Sequence, residues 1–231
     1  MRINFKRAGF TLAEVLITLG IIGVVAAMTI PNLMTKIQWL QLHASFKHAY
    51  SSLSNGLQLT LNNEETSEAC YYSYNSSVSG LVTNLTSCNQ FFKNFEKNLK
   101  VMQVCNGNAL NNGCILKYKG QEEVQNIVDN EEKLENFNKN CGYWSTNAIN
   151  NVNRVVVLID GTVIVYYGKV SMPLFMVDTN GRKGPNKWGY DIFVFSVKEA
   201  QSGAVYLAAT NSCMVVEAGG KTTQQMLTRN K

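Results

Sequence analysis

The feature that most constrains this chain is a run of 21 residues, 10–30, in which only Glu14 is charged. A helix of that length covers about 30 Å, the thickness of the hydrocarbon layer of a bilayer. Arg2, Lys6 and Arg7 stand just before it. The positive-inside rule therefore puts the N-terminus in the cytoplasm and the rest of the chain on the exoplasmic side. An ordinary secretory signal is one alternative, but its apolar core is only about 7–15 residues long, and a Glu inside it is out of place. An uncleaved single-span anchor is the other. Glu14 bears on the choice. A carboxylate at the centre of the apolar layer costs about 2.5–3.5 kcal/mol, and less near its edge, so it calls for a cation. Cleavage between Gly9 and Phe10 would create an α-amine four residues before it, at the same depth.

The order Gly9-Phe10-Thr11-Leu12-Ala13-Glu14, then an apolar run, then Pro31, resembles the leader and anchor of type IV pilins and type II secretion pseudopilins. The resemblance covers about thirty residues. It implies a leader at residues 1–9, removed by a membrane-embedded prepilin peptidase that cuts after Gly9. It implies that Phe10 becomes an N-methylated mature terminus, and that Glu14 pairs with the N-terminal amine of a neighbouring subunit. The implied partners are that peptidase, other pilin or pseudopilin subunits, an inner-membrane assembly platform and membrane lipid.

The chain is long enough for one sizeable domain beyond the anchor. Of the net charge of +5, three positive charges lie in the first eight residues. The remainder is nearly balanced and leaves no footprint for direct nucleic-acid binding. Cys70, Cys88, Cys105, Cys114, Cys141 and Cys213 all lie beyond the apolar run. An even count in an exported segment points to disulfides; buried free thiols are the alternative. Cys105 and Cys114 are the best single pair, because a short Asn- and Gly-rich loop closes between them. Six Cys allow 15 pairings.

Beyond Pro31, which removes one helical hydrogen bond and is expected to kink or locally melt the helix, apolar residues keep helical spacing. Leu33, Ile37, Leu40 and Ala44 continue into Phe46, Tyr50, Leu53, Leu57 and Leu61. This divides the chain into a transmembrane and assembly segment (10–31), an amphipathic half-helix with one stripe packed on a domain (32–61) and an exoplasmic globular domain (62–231). Such a helix is about 78 Å long. Within the domain, Tyr71, Tyr72 and Tyr74 suit a short strand. Phe91, Phe92, Phe95 and Leu99 suit a short helix. Residues 131–135 are a helix or a solvated loop. From 152 onward the pattern is antiparallel sheet. Residues 155–159 and 162–167 form a hairpin around Asp160-Gly161, strands follow at 175–177 and 192–197, and a last pair lies at 205–209 and 214–216. The fold class is α+β: a long N-terminal helix packed on an antiparallel sheet.

Residues 178–191 are rich in Asp, Asn and Gly. They open like an EF-hand loop but lack its closing Glu. They also resemble loops of some pseudopilin C-terminal regions, certain of which bind calcium. Asp178, Asn180 and Asp191 could supply oxygen ligands, against the charges of Arg182, Lys183 and Lys187. The bland alternative is a turn in which these side chains bond the backbone. His43 and His48 are five apart and share no helical face. No nucleophile–base pairing, phosphate-cradling loop or His-rich cluster is present, so the chain reads as a structural subunit and not an enzyme. The resemblance leaves three roles open: a secretion pseudopilin or pilus subunit, a minor pilin for adhesion or DNA uptake, and a monomeric anchored binding protein.

Overall fold

The computed structural model describes residues 9, 11–62, 70–73, 81–83, 88–128, 144–167, 173–210 and 214–228. Two compact units divide at residues 41 and 42. Helix α1 (Leu12–Leu61) begins in the first and ends in the second.

In the first unit, none of residues 12–41 is buried. The helix runs unbroken through Pro31, so the local melting expected there does not occur. Side chains around the proline feed the main chain. Thr29 donates to the carbonyl of Val25 at 2.9 Å, Asn32 to that of Met28 at 3.5 Å and Thr35 to that of Pro31 at 3.0 Å. These bonds reach carbonyls near the proline; the carbonyl that Pro31 itself leaves without an amide is that of Ala27, which none of the three reaches. The stripe expected to pack through Leu33, Ile37 and Leu40 lies exposed; these three are 58%, 38% and 70% accessible.

In the second unit, α1 buries Leu42, Phe46, Ala49, Leu53, Gly56, Leu57 and Thr60, spaced three or four apart along one face. Phe46 meets Phe193 and Phe195 with ring centroids 4.8 and 5.9 Å away. Gly56 permits a close approach: a Cβ there would stand 2.6 Å from the side chain of Leu99.

The remaining elements are β1 (Cys70–Tyr72), β2 (Leu81–Thr83), α2 (Asn89–Lys97), β3 (Val101–Asn106), α3 (Gln121–Val128), β4 (Arg154–Leu158), β5 (Val163–Tyr166), β6 (Leu174–Asp178), β7 (Ile192–Glu199), β8 (Val205–Ala209) and α4 (Thr223–Thr228). The sheet order is β2-β1-β7-β6-β5-β4-β3, with β8 also on β7. The described pairings are antiparallel except β1 with β7, which is parallel at Tyr72 and Lys198. The sheet is therefore mixed, where an antiparallel one was expected. The direction of a pairing between residues this far apart leaves no mark in the local pattern.

The Asp160-Gly161 hairpin joins β4 and β5, but not through a two-residue turn. The amide of Gly161 donates to Leu158 and that of Leu158 to Thr162, with Gly161 at φ 94°. This is a three-residue loop with glycine in the left-handed region. On the outer edge of β8, Tyr50 and Gln58 of α1 donate to the carbonyls of Leu207 and Val205, each at 3.1 Å. That edge is thereby closed to further strands.

Helix α2 sets Phe92 against Tyr166 and Phe175, and Arg154 of β4 pairs with Glu96 at 2.5 Å. Disulfides join Cys70 to Cys88 and Cys105 to Cys114. Residues 214–216, expected as a strand, form none; they lead into a segment that clasps residues 187–190. Tyr74, residues 131–135, Cys141 and Cys213 lie outside the described residues.

Candidate functional site

Two places hold the residues singled out in the sequence. The first is the start of α1. Gly9 precedes the helix and is exposed; Phe10 lies outside the described residues. The amide and hydroxyl of Thr11 each donate to Oε2 of Glu14 at 2.8 Å, and the amide of Glu14 donates back to the Thr11 hydroxyl at 3.3 Å. This is a reciprocal capping box, Thr-x-x-Glu. The sequence reading assigned Glu14 to a neighbour's amine and missed the cap, although the Thr11 and Glu14 spacing signals it. α1 is long and apolar enough to cross a membrane.

The second place is the loop from β6 to β7. Asp178 ends β6, opposite Ile192, and Asp191 directly precedes β7. The strand register thus brings both ends of the loop together, and the amide of Thr179 donates to the carbonyl of Asp191 at 2.9 Å. Both carboxylates are fully buried. Oδ1 of Asp178 accepts the amides of Asn180 and Gly181 at 3.0 and 2.7 Å. Asp191 accepts the amides of Asn186 and Lys187, each at 2.7 Å. Gly181 is required here: its φ is +57°, and a Cβ would fall 2.2 Å from the carbonyl oxygen of Gly161. Tyr118 closes the site by donating to Oδ2 of Asp178 at 2.6 Å. Nothing in the pattern around Tyr118, sixty residues away, announced this.

Burial, and then the charge of Asp191, push Asp178 up to about 7. Burial pushes Asp191 up to about 6 against the pull of its amide donors. Tyr118 is raised well above its ordinary value by burial and by Asp178. Two of the three basic residues that counted against a cation, Arg182 and Lys187, make other contacts. Arg182 donates to the carbonyl of Gly113, and the Lys187 ammonium lies 5.7 Å from the centre of the Tyr190 ring. Among the described residues neither carboxylate has an ion pair.

One buried oxygen beside the two carboxylates lacks a donor. The Asn180 amide donates to the carbonyl of Gly184 at 2.8 Å, while its own oxygen is buried without a partner. The Asn186 amide faces the Gly181 carbonyl and Oδ2 of Asp178. With its nitrogen inward it donates to them at 2.7 and 3.3 Å; with its oxygen inward it adds a further acceptor. No three His, Cys, Asp or Glu side chains converge among the described residues. A cation here would draw on two carboxylates, amide oxygens and the main chain, which is calcium chemistry and not that of a transition metal. The C-terminal segment supports the loop: Glu217 accepts the Trp188 amide at 3.0 Å, and the Lys221 amide donates to Gly189 at 2.7 Å.

Residues 4–30 match the family model described as the prokaryotic N-terminal methylation motif. This is the prepilin-type motif of type IV pilins and pseudopilins. None of the curated proteins and none of the solved structures matches the chain.

Proposed function

We propose that this type IV pilin-like protein is a structural subunit of a pilus or secretion pseudopilus filament, anchored in the cytoplasmic membrane and assembled through its N-terminal helix. One coincidence carries the reading: the methylation motif at residues 4–30 runs into a stretch of α1 with no buried side chain. Apolar surface on that scale has to be covered by lipid or by other subunits. A prepilin peptidase cuts after Gly9, Phe10 becomes the methylated terminus, and Glu14 takes a neighbour's amine when subunits assemble. N-terminal sequencing and intact mass of the native protein test this. The expected result is a chain beginning at a methylated Phe10. A chain beginning near Thr29 would mean an ordinary signal peptide and would overturn the proposal.

Within this reading the Asp178 to Asp191 loop favours the secretion pseudopilin role and holds calcium. The supporting observation is the unpartnered Asn180 oxygen beside two buried carboxylates. Asp178, Asp191, Asn180 and Asn186 are the residues that would hold the ion, which would neutralise the carboxylates and tie the loop to β6 and β7. Chelation should lower the melting temperature of the detergent-solubilised chain, and Asp191→Ala should abolish the difference. Identical melting curves with and without chelator would leave the loop as a hydrogen-bonded turn.

A further inference from the structure

The C-terminal segment clasps the loop between β6 and β7 at its far end. Glu217 grips Trp188 twice: its amide donates to the Trp188 carbonyl, and its Oε1 accepts the Trp188 amide, each at 3.0 Å. The Lys221 amide donates to the Gly189 carbonyl at 2.7 Å, and the Tyr190 hydroxyl to the Ala218 carbonyl at 2.7 Å. Gly189 lets the two chains touch, since a Cβ there would stand 2.8 Å from the side chain of Val216 and 2.9 Å from the Lys221 amide. The clasped residues follow directly on Asn186 and Lys187, whose amides Asp191 accepts. One short stretch of backbone thus bonds Asp191 through residues 186–187 and the C-terminal segment through residues 188–190.

The same segment reaches α1. Beyond Lys221 it forms α4, in which the Thr223 hydroxyl accepts the Val194 amide of β7 at 3.3 Å and Met226 is fully buried. The Met226 carbonyl lies 3.2 Å from Nε2 of His43, where α1 begins to bury its face. A helix of six residues has no stability of its own, so α4 depends on its supports: the loop, β7 and α1. In the loop, Asp178 and Asp191 are buried without an ion pair among the described residues. Ionised, they repel each other. A cation that removes the repulsion holds residues 186–187 in place, and residues 188–190 with them.

We infer, resting on the calcium reading proposed above, that calcium in the loop governs docking of the C-terminal segment, and that Glu217 is the positioning residue that couples the two. With calcium, Trp188 and Gly189 are held where Glu217 and Lys221 meet them, α4 stays folded and the tie to His43 is kept. Without it, the segment leaves the loop and α4 unwinds. The coupling is reciprocal: docking of the segment strengthens calcium binding by the same factor.

Hydrogen exchange of the full-length chain in detergent, with calcium and with chelator, tests this. Calcium should slow the amides of Glu217, Lys221 and Met226 together with those of the loop, by about tenfold or more. Glu217→Ala should weaken calcium about tenfold in calorimetric titration. Glu217→Gln keeps an oxygen acceptor for the Trp188 amide and should restore most of that affinity. Tyr190→Phe loses a single hydroxyl bond and should weaken calcium by about threefold, a second reading should Glu217→Ala fail to fold. Slowed exchange in the loop with unchanged exchange at Glu217, Lys221 and Met226 would overturn the inference and leave the calcium reading standing. No effect of calcium on either stretch would overturn both. Wild-type calcium affinity in Tyr190→Phe and in a folded Glu217→Ala chain would also contradict the coupling.

Discussion

Residues 12–41 and 42–61 belong to one helix, and the same kinds of apolar side chain recur along it. In the first stretch none of those side chains is buried; in the second, seven residues are. The difference lies in how the apolar residues are arranged. Residues 15–30 carry no charge and are apolar on every side, the pattern of a helix whose partners surround it. From Leu42 onward the apolar residues narrow to one stripe, with Lys47, His48 and Gln58 on other faces, and the stripe meets Phe193 and Phe195. The first stretch is built for contacts outside the chain and the second for contacts within it.

The largest effect that would sharpen this contrast comes from truncating one side chain in each stretch. Phe46→Ala removes a fully buried ring from between the helix and β7. It should cost about 3–5 kcal/mol of stability, read from denaturant unfolding of the full-length chain in detergent. Ile21→Ala, at a position 61% exposed, should shift the same curve by less than about 0.5 kcal/mol. Equal losses at both positions would mean that the first stretch also packs on its own chain.

A smaller effect separates the loop from the helix. Asp178 and Asp191 titrate near about 7 and about 6 when folded, above the ordinary 3.8, chiefly because they are buried. A carboxyl that holds its proton more tightly when folded contributes stability below its unfolded pKa. That contribution is lost as pH rises through the folded value. In chelator, stability should therefore fall by roughly a few kcal/mol between pH 4 and pH 7. Asp178→Asn should flatten most of that slope. A stability that rises steadily from pH 4 to pH 7 would contradict the buried, unpaired state of the two carboxyls.

Much of this was legible in the sequence, and the parts that were not share a cause. The strands from 154 to 209 follow from runs of β-branched residues punctuated by Asp-Gly and by the Asn- and Gly-rich loop. The spacing of Cys105 and Cys114 pointed to the disulfide they form. β3 escaped notice because Val101–Asn106 is mostly half-exposed or exposed and sits among Asn-rich turns. The 214–216 segment looked like a strand because it is apolar, but it pairs with no strand among the described residues, and the residues that follow it, Glu217 and Lys221, donate their amides to Trp188 and Gly189 of the loop. Helical spacing alone extended the packed stripe back to Leu33. It takes the tertiary structure to put the first buried position at Leu42. Of the loop, the sequence offered Asp178, Asn180 and Asp191. Tyr118 joined them only through folding, since no local pattern links positions sixty residues apart.

The central claim is that the first stretch of α1 serves assembly, and Glu14 is its one charge. Within the subunit Glu14 caps its own helix through Thr11; in a filament the proposed partner is the amine of a neighbour. Glu14→Ala removes a carboxylate from the apolar layer, so membrane insertion should persist, and cleavage after Gly9 should persist as well. Glu14→Gln keeps the shape and loses the charge. The direct measurement is filament yield relative to membrane-bound subunit in cells carrying each variant. The account predicts normal amounts of processed, membrane-bound Glu14→Ala protein and a filament yield that falls sharply or vanishes. Wild-type filament yield from Glu14→Ala subunits assembling on their own would contradict it.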